Sequence, residues 1–103
     1  MNVRMFFEWD AEKLKLNIEK HNVDFTDAAE IFYDNNVVII IDNRCEYKTS
    51  DGKLEIRFIA YGMTTKRVKL RVAFTLRDQN CRIITAFRVG NKEWRKYYGI
   101  NKG

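Results

Sequence analysis

One hundred and three residues without a proline, 46% hydrophobic and 32% charged, suffice for a single domain, residues 1–103, and exclude a two-domain chain. Nineteen Lys and Arg against fourteen Asp and Glu leave a net charge of +5, a mildly basic balance that suits contact with nucleic acid. The longest aliphatic run, Val37-Val38-Ile39-Ile40-Ile41, falls far short of the roughly 20 apolar residues that cross a bilayer, and residues 1–7 hold no signal-peptide core, so a cytoplasmic protein with no membrane partner is expected.

Asp10 is placed to cap a helix running through His21, with Glu12 near its positive end and Lys20 near its negative end. Ala11, Leu14, Ile18 and His21 recur at spacings of three and four and share one face of it. Thr26 reads as the N-cap of a second helix, with an apolar side of Ala28, Ala29, Ile31 and Phe32, stopped by Asp34-Asn35-Asn36. The period then falls to two, first in the run at 37–41 and then in alternating segments at 55–61, 69–77 and 82–88. Short polar links at 62–66 and 78–80 imply antiparallel hairpins. Residues 43–54, polar and holding Ser50-Asp51-Gly52, read as the longest irregular stretch. A short helix closes the chain at 91–98, with Glu93 in its first turn and Lys96 in its last. The expectation is α+β: two N-terminal helices, an antiparallel meander of about four strands, and a short C-terminal helix.

The charge is unevenly spread. Residues 1–34 hold four basic against eight acidic side chains, −4, and residues 35–103 hold fifteen against six, +9, so the basic character belongs to the strands and closing helix. Alternation puts Arg57 opposite Ile56 and Phe58, and sets Lys69, Arg71 and Arg77 opposite Leu70, Val72, Phe74 and Leu76. With Arg82 and Arg88 these form a set of strand arginines, whose planar forks match phosphate oxygens when several converge on one face. Singly, each is equally a solvent-side cation that keeps a sheet soluble. In Lys92-Glu93-Trp94-Arg95-Lys96-Tyr97-Tyr98 cations interleave with aromatics, which suits unpaired RNA bases and phosphates. The plainer reading docks the rings on the sheet and leaves the cations solvated. Glu93 either favours the helix N-terminus or acts as a carboxylate that orients an arginine or accepts a proton. His21, the one histidine, excludes chemistry that needs two imidazoles and reads first as a packed residue, second as a site residue. Cys45 and Cys81, without CxxC or Cys/His spacing, indicate neither a zinc site nor a disulfide framework but two reduced thiols. No metal and no cofactor are expected.

Taken in order, Phe7-Glu8-Trp9-Asp10, Lys13, Asn17, Lys20-His21, Val23-Asp24-Phe25, Ala28-Ala29 and Phe32, then Arg57-Phe58 with Gly62, Thr75, Arg77, Arg82-Ile83-Ile84-Thr85-Ala86, Glu93 and Tyr97, the chain resembles the BrnT family of ribonuclease toxins from BrnT–BrnA toxin–antitoxin pairs over nearly its whole length. That resemblance implies a RelE-like small ribonuclease fold and RNA cleavage that arrests translation. It further implies neutralisation by a BrnA-like antitoxin with a ribbon-helix-helix domain, through which alone operator DNA is met. There is one departure. Where the family usually has an arginine directly after its serine-alanine pair, this chain has Phe87, with Arg88 one residue later; in a regular strand such a shift sends the side chain to the other face unless a bulge intervenes. Trp94 likewise stands where the family commonly has arginine.

The reaction this suggests is metal-independent, the ribose 2′-hydroxyl attacking the adjacent phosphate. Arg57, Arg77, Arg82 and Arg88 form the phosphate clamp, Glu93 is the base or arginine orienter, and Tyr97 positions substrate or donates a proton. Lys69, Arg71, Lys92, Arg95 and Lys96 form the RNA-binding set. The rival is a non-catalytic basic module that holds nucleic acid or an acidic partner protein.

Overall fold

The Asp10 carboxylate accepts the backbone N–H groups of Glu12 at 2.7 Å and Lys13 at 3.3 Å, starting α1 (Ala11–His21), and Asn22 closes the helix in the left-handed region at φ 54°. The computed structural model describes residues 5–98; residues 1–4 of the opening stretch and the side chain of Cys45, expected to be a reduced thiol, lie outside the described residues. The second helix differs from expectation. Asp24, not Thr26, is its N-cap, because the Asp24 carboxylate accepts both the N–H and the hydroxyl of Thr26. The helix α2 (Phe25–Glu30) lasts six residues and tightens into a 3₁₀ turn, Ile31–Tyr33. That turn lies hard against the sheet at Gly62, where a Cβ would stand 2.7 Å from the Ile31 Cβ, so only glycine permits the approach.

The sheet has five strands in the order β1-β5-β4-β3-β2: β1 (Phe7–Glu8), β2 (Val38–Lys48), β3 (Leu54–Met63), β4 (Lys69–Arg77) and β5 (Asn80–Arg88). The meander from β2 to β5 is antiparallel as expected. The additional β1 pairs in parallel with β5, and a two-residue strand carries no periodicity by which to be recognised. A second correction concerns residues 43–54. Strand β2 runs on through Lys48, with a register shift between Asp42 and Tyr47, so the irregular stretch shrinks to a hairpin held by Thr49 and Lys53.

A bulge in β5 decides which way its last side chains face. Phe74 pairs with Ile83 but Ala73 with Thr85, leaving Ile84 as the extra residue. Without it Arg82 and Arg88, six positions apart, would share a face; with it Arg82 shares a face with Phe87, and Arg88 turns to the other side opposite Leu70.

Helices cover both faces unequally. Val23, Phe25, Ala28 and Ile31 pack onto Val72, Phe74, Ile83 and Ala86 as the main core, and fully burying a side chain such as Phe25 stabilises by about 1.5–3 kcal/mol. The buried residue of α1 is the polar Asn17 rather than a member of the expected apolar face; Ala11, Ile18 and His21 stay exposed. Its amide donates to the carbonyls of Val23 at 2.9 Å and Ala86 at 2.8 Å and accepts the Ala86 N–H at 3.0 Å, closing the outer edge of β5 beyond the short β1. On the opposite face α3 (Asn91–Tyr97) seats Trp94 against Ile59 and Tyr61. No helix among the described residues is long and apolar enough to cross a membrane.

Candidate functional site

Cross-strand register lines up Asp42, Arg57, Thr75, Arg82 and Glu8 in one row spanning all five strands on the α3 side. Arg57 and Arg82, their side chains 26% and 23% exposed, flank Thr75 two strand spacings apart, about 10 Å. The Thr75 hydroxyl is spent on the Ile56 carbonyl at 2.7 Å. Arg77 lies further out along β4, opposite the Glu55 end of β3.

Every arginine of this face comes with a carboxylate. Arg57 Nε meets Glu55 at 2.8 Å and Arg77 Nη2 meets the other Glu55 oxygen at 3.3 Å. Arg82 reaches Glu8 at 3.3 Å, and Arg71 Nε stands 3.5 Å from Glu93. Arg44 binds Asp42 through two bonds of 2.8 Å and the Tyr47 hydroxyl donates to the same carboxylate, with the Arg57 guanidinium 4.0 Å over the Tyr47 ring. The bond from Arg44 holds the Asp42 carboxyl well below the usual range against the cost of burial. For Glu55 burial pushes upward, but the bonds from Arg57 and Arg77 outweigh it and the carboxyl is lowered.

From the Asp42 and Arg44 end of the row to Arg71, four residues or about 13 Å along β4 from Thr75, a cleft of about 720 Å³ opens between the sheet and α3, lined by Ile40, Asp42, Arg44, Ile59, Tyr61, Arg71, Lys92, Glu93, Lys96 and Tyr97 among others. Here the Tyr61 hydroxyl donates to Glu93 Oε2 at 2.6 Å and accepts from Arg71 Nε at 3.3 Å. Burial, reinforced by the bond to Glu93, pushes the Tyr61 hydroxyl up to about 12, so it stays a donor at neutral pH. The Tyr97 ring stacks on Tyr61 at 4.6 Å and 8°, and the Lys96 ammonium stands 5.2 Å from the Tyr97 ring centre. Glu93 Oε1 has no hydrogen-bond partner among the described residues.

The expected residues thus fall into two groups on one face: Arg57, Arg77 and Arg82 in and beside the row, and Arg71, Lys92, Glu93, Lys96 and Tyr97 in the cleft. Lys69 stands at the base of α3, bonded to Asn91 and 5.8 Å over Trp94. Three residues are not brought in. Arg88 lies on the opposite face, beside Asn22, Asp27 and Glu30, so it is not part of the clamp: the bulge at Ile84 leaves Phe87, not Arg88, on the arginine side. The exposed Arg95 does not line the cleft. His21 sits at the sheet edge, its ring 5.3 Å from that of Phe87, and Phe87 in turn lies 5.1 Å beneath the Arg71 guanidinium. Tyr61 was not among the expected residues, although its alternation with Arg57 already put it on their side. Arg44 and Tyr47 escaped because residues 43–54 read as loop, and Asp42 because it falls between that stretch and the aliphatic run at 37–41.

A sheet layered by helices on one side, with an arginine row and a single capping helix on the other, defines a small α+β domain with a cationic cleft. The family model described as the ribonuclease toxin, BrnT, of a type II toxin–antitoxin system matches residues 9–93, and the chain belongs to that family. It is therefore a toxin of the type II kind within a family of ribonucleases, and a protein antitoxin is its implied partner. The 1.1 Å crystal structure of the Brucella abortus ribonuclease toxin, BrnT, aligns with a TM-score of 0.57 at 20% identity, over 85% of this chain and 100% of that one, a likeness of fold. No curated protein matches.

Proposed function

We propose that the chain cleaves single-stranded RNA by attack of the ribose 2′-hydroxyl on the adjacent phosphate, without a metal ion, and that a BrnA-like antitoxin with a ribbon-helix-helix DNA-binding domain neutralises it and alone contacts operator DNA. The observation that carries this reading is the continuity of one face, from Arg57 and Arg82 to the cleft where Glu93 stands against Arg71 and Tyr61. Glu93 takes the 2′-proton through its unengaged Oε1. The 2′-oxygen bonds to phosphorus as the bond to the 5′-oxygen breaks, and that oxygen leaves with a proton from Tyr97 or water, giving a 2′,3′-cyclic phosphate and a 5′-hydroxyl. Arg71 meets the charge that develops on the phosphorane, serving where the family arginine is replaced by Phe87. Arg57, Arg77 and Arg82 hold the flanking backbone, each exchanging a carboxylate of the protein for a phosphate; Lys69, Lys92 and Lys96 add cations along the same path.

The second reading, a basic module that binds nucleic acid or an acidic partner without cutting, is favoured by Phe87 alone. Induced expression separates the two. Growth arrest with RNA fragments ending in 2′,3′-cyclic phosphate, and purified activity that persists in EDTA, support the ribonuclease. Intact RNA with a salt-dependent gel shift rejects it in favour of the binding module.

A further inference from the structure

The face opposite the arginines is only half covered. Over β4 and β5 it carries α1 and α2, and Phe32 packs edge-on against Phe74 at 5.0 Å. Beyond that point the side chains of Ile39 and Ile41 on β2, Leu54 and Ile56 on β3 and Leu76 on β4 are between 48% and 65% exposed. They are neighbours: Ile39 pairs with Ala60 and Ile41 with Phe58, Phe58 pairs with Phe74, and Ile56 and Leu76 stand one step beyond the Arg57–Thr75 pair. Five large aliphatic side chains on one sheet surface are more than scattered exposure explains. Their outline, three strands wide and about six residues long, is roughly 10 Å by 20 Å, the footprint of a helix of about 13 residues.

From this we infer that the bare half of the sheet is the seat of an amphipathic helix from the protein antitoxin, laid beside α1 and α2 as the missing part of their layer, with charged residues of both signs at its flanks. Two features select that occupant. The layer already present is helical, so a helix continues it at the same height over the sheet. The patch is bordered by charges of both signs, exposed Lys48 and Lys53 alternating with exposed Glu46 and Asp51 along the end of β2 and its hairpin, and these match a helix with mixed charges at its flanks, while the N-terminal third at −4 disfavours its acidic side next to α1 and α2. The patch lies behind the cleft, so the antitoxin is anchored on one face and reaches the arginines only round the free edge of β2. The inference rests on the toxin reading for the partner's identity, not on the ribonuclease mechanism.

The test uses the full chain and, as probe, a purified BrnA-like antitoxin chosen because its co-expression relieves the chain's growth arrest or, where the chain arrests no growth, because it co-purifies with the chain. Calorimetric titration is expected to show Leu76→Lys and Ile56→Lys weakening the complex about 100-fold, while Leu16→Lys, at an exposed aliphatic position on α1, stays within about twofold. Binding by both patch variants within about threefold of wild type overturns the inference. Sedimentation of the free chain is expected to give monomers; a dimer that Ile56→Lys dissociates assigns the patch to a second copy instead and also overturns it. Both variants alter exposed side chains, so unchanged melting curves and unchanged RNA cleavage accompany the lost binding. A wild-type chain that cuts no RNA yet loses its antitoxin through Ile56→Lys sinks the ribonuclease reading and leaves the patch standing; cleavage that the antitoxin still inhibits in both variants sinks the patch alone.

Discussion

On the side of α1 and α2 the sheet meets Val23, Phe25, Ala28 and Ile31 in a buried apolar layer, whereas on the side of α3 it presents arginines, each beside a carboxylate and partly exposed. Partly exposed ion pairs contribute about 0–1 kcal/mol each, far less than the burial of one large apolar side chain. The larger share of the apolar burial therefore lies on one face, with the smaller cluster of Ile59, Tyr61 and Trp94 on the other, and the arginines of that second face are held in place by ion pairs that a phosphate can displace. The antitoxin patch belongs to the first face by chemistry and to the second by its lack of cover.

That division can be broken experimentally. The largest effect is expected at Phe25, fully buried: Phe25→Ala removes about 3–5 kcal/mol of stability in urea titration, while the fraction still folded cleaves RNA at the wild-type rate. On the other face Glu93→Gln and Arg71→Ala each lower the cleavage rate about 10²–10³-fold, with melting temperatures within a few degrees of wild type, and Arg82→Ala lowers it less. Equal toxicity of wild type and Arg82→Ala at matched expression removes that arginine from the mechanism.

Smaller effects sharpen the boundary between the faces. Asn17→Ala leaves the Ala86 N–H and the carbonyls of Ala86 and Val23 without their partner and is expected to cost about 1–3 kcal/mol, with hydrogen exchange rising first at Ala86. The smallest concerns Asp42, whose carboxyl Arg44 holds below its ordinary value of 3.8. A group lowered in the folded state stabilises the fold at neutral pH, and that share is lost as pH falls below about 4. Asp42→Asn is expected to cost about 1 kcal/mol at neutral pH and to flatten the acid limb of the stability curve; an unchanged limb assigns acid sensitivity to Glu55 instead, which is lowered in the same direction.

Local chemistry was enough to place much of this molecule. The Asp10 cap, the fall of the period from near 3.6 to two, and the alternation within β3 and β4 put the first helix, the four meander strands and the shared side of Arg57, Arg71 and Arg77 within reach of the sequence, because each depends on residues a few positions apart. Asn17 was legible only as a family residue; that it closes a strand edge depends on Ala86, 69 positions away.

What the tertiary structure alone decided follows the same logic. The direction of Arg88 hangs on one extra residue, Ile84, and a bulge is a property of two paired strands, not of either sequence. The cleft exists because Trp94 docks on Ile59 and Tyr61 and brings Glu93 to a tyrosine 32 positions earlier. The bare patch exists because α2 ends after six residues and the helical layer stops at Phe32. The sequence alone determined the elements and the face on which most of the arginines stand, through short-range periodicity. Register, docking and the limits of coverage set which arginines meet which carboxylates and where a partner finds apolar ground, since these are agreements between segments far apart in the chain.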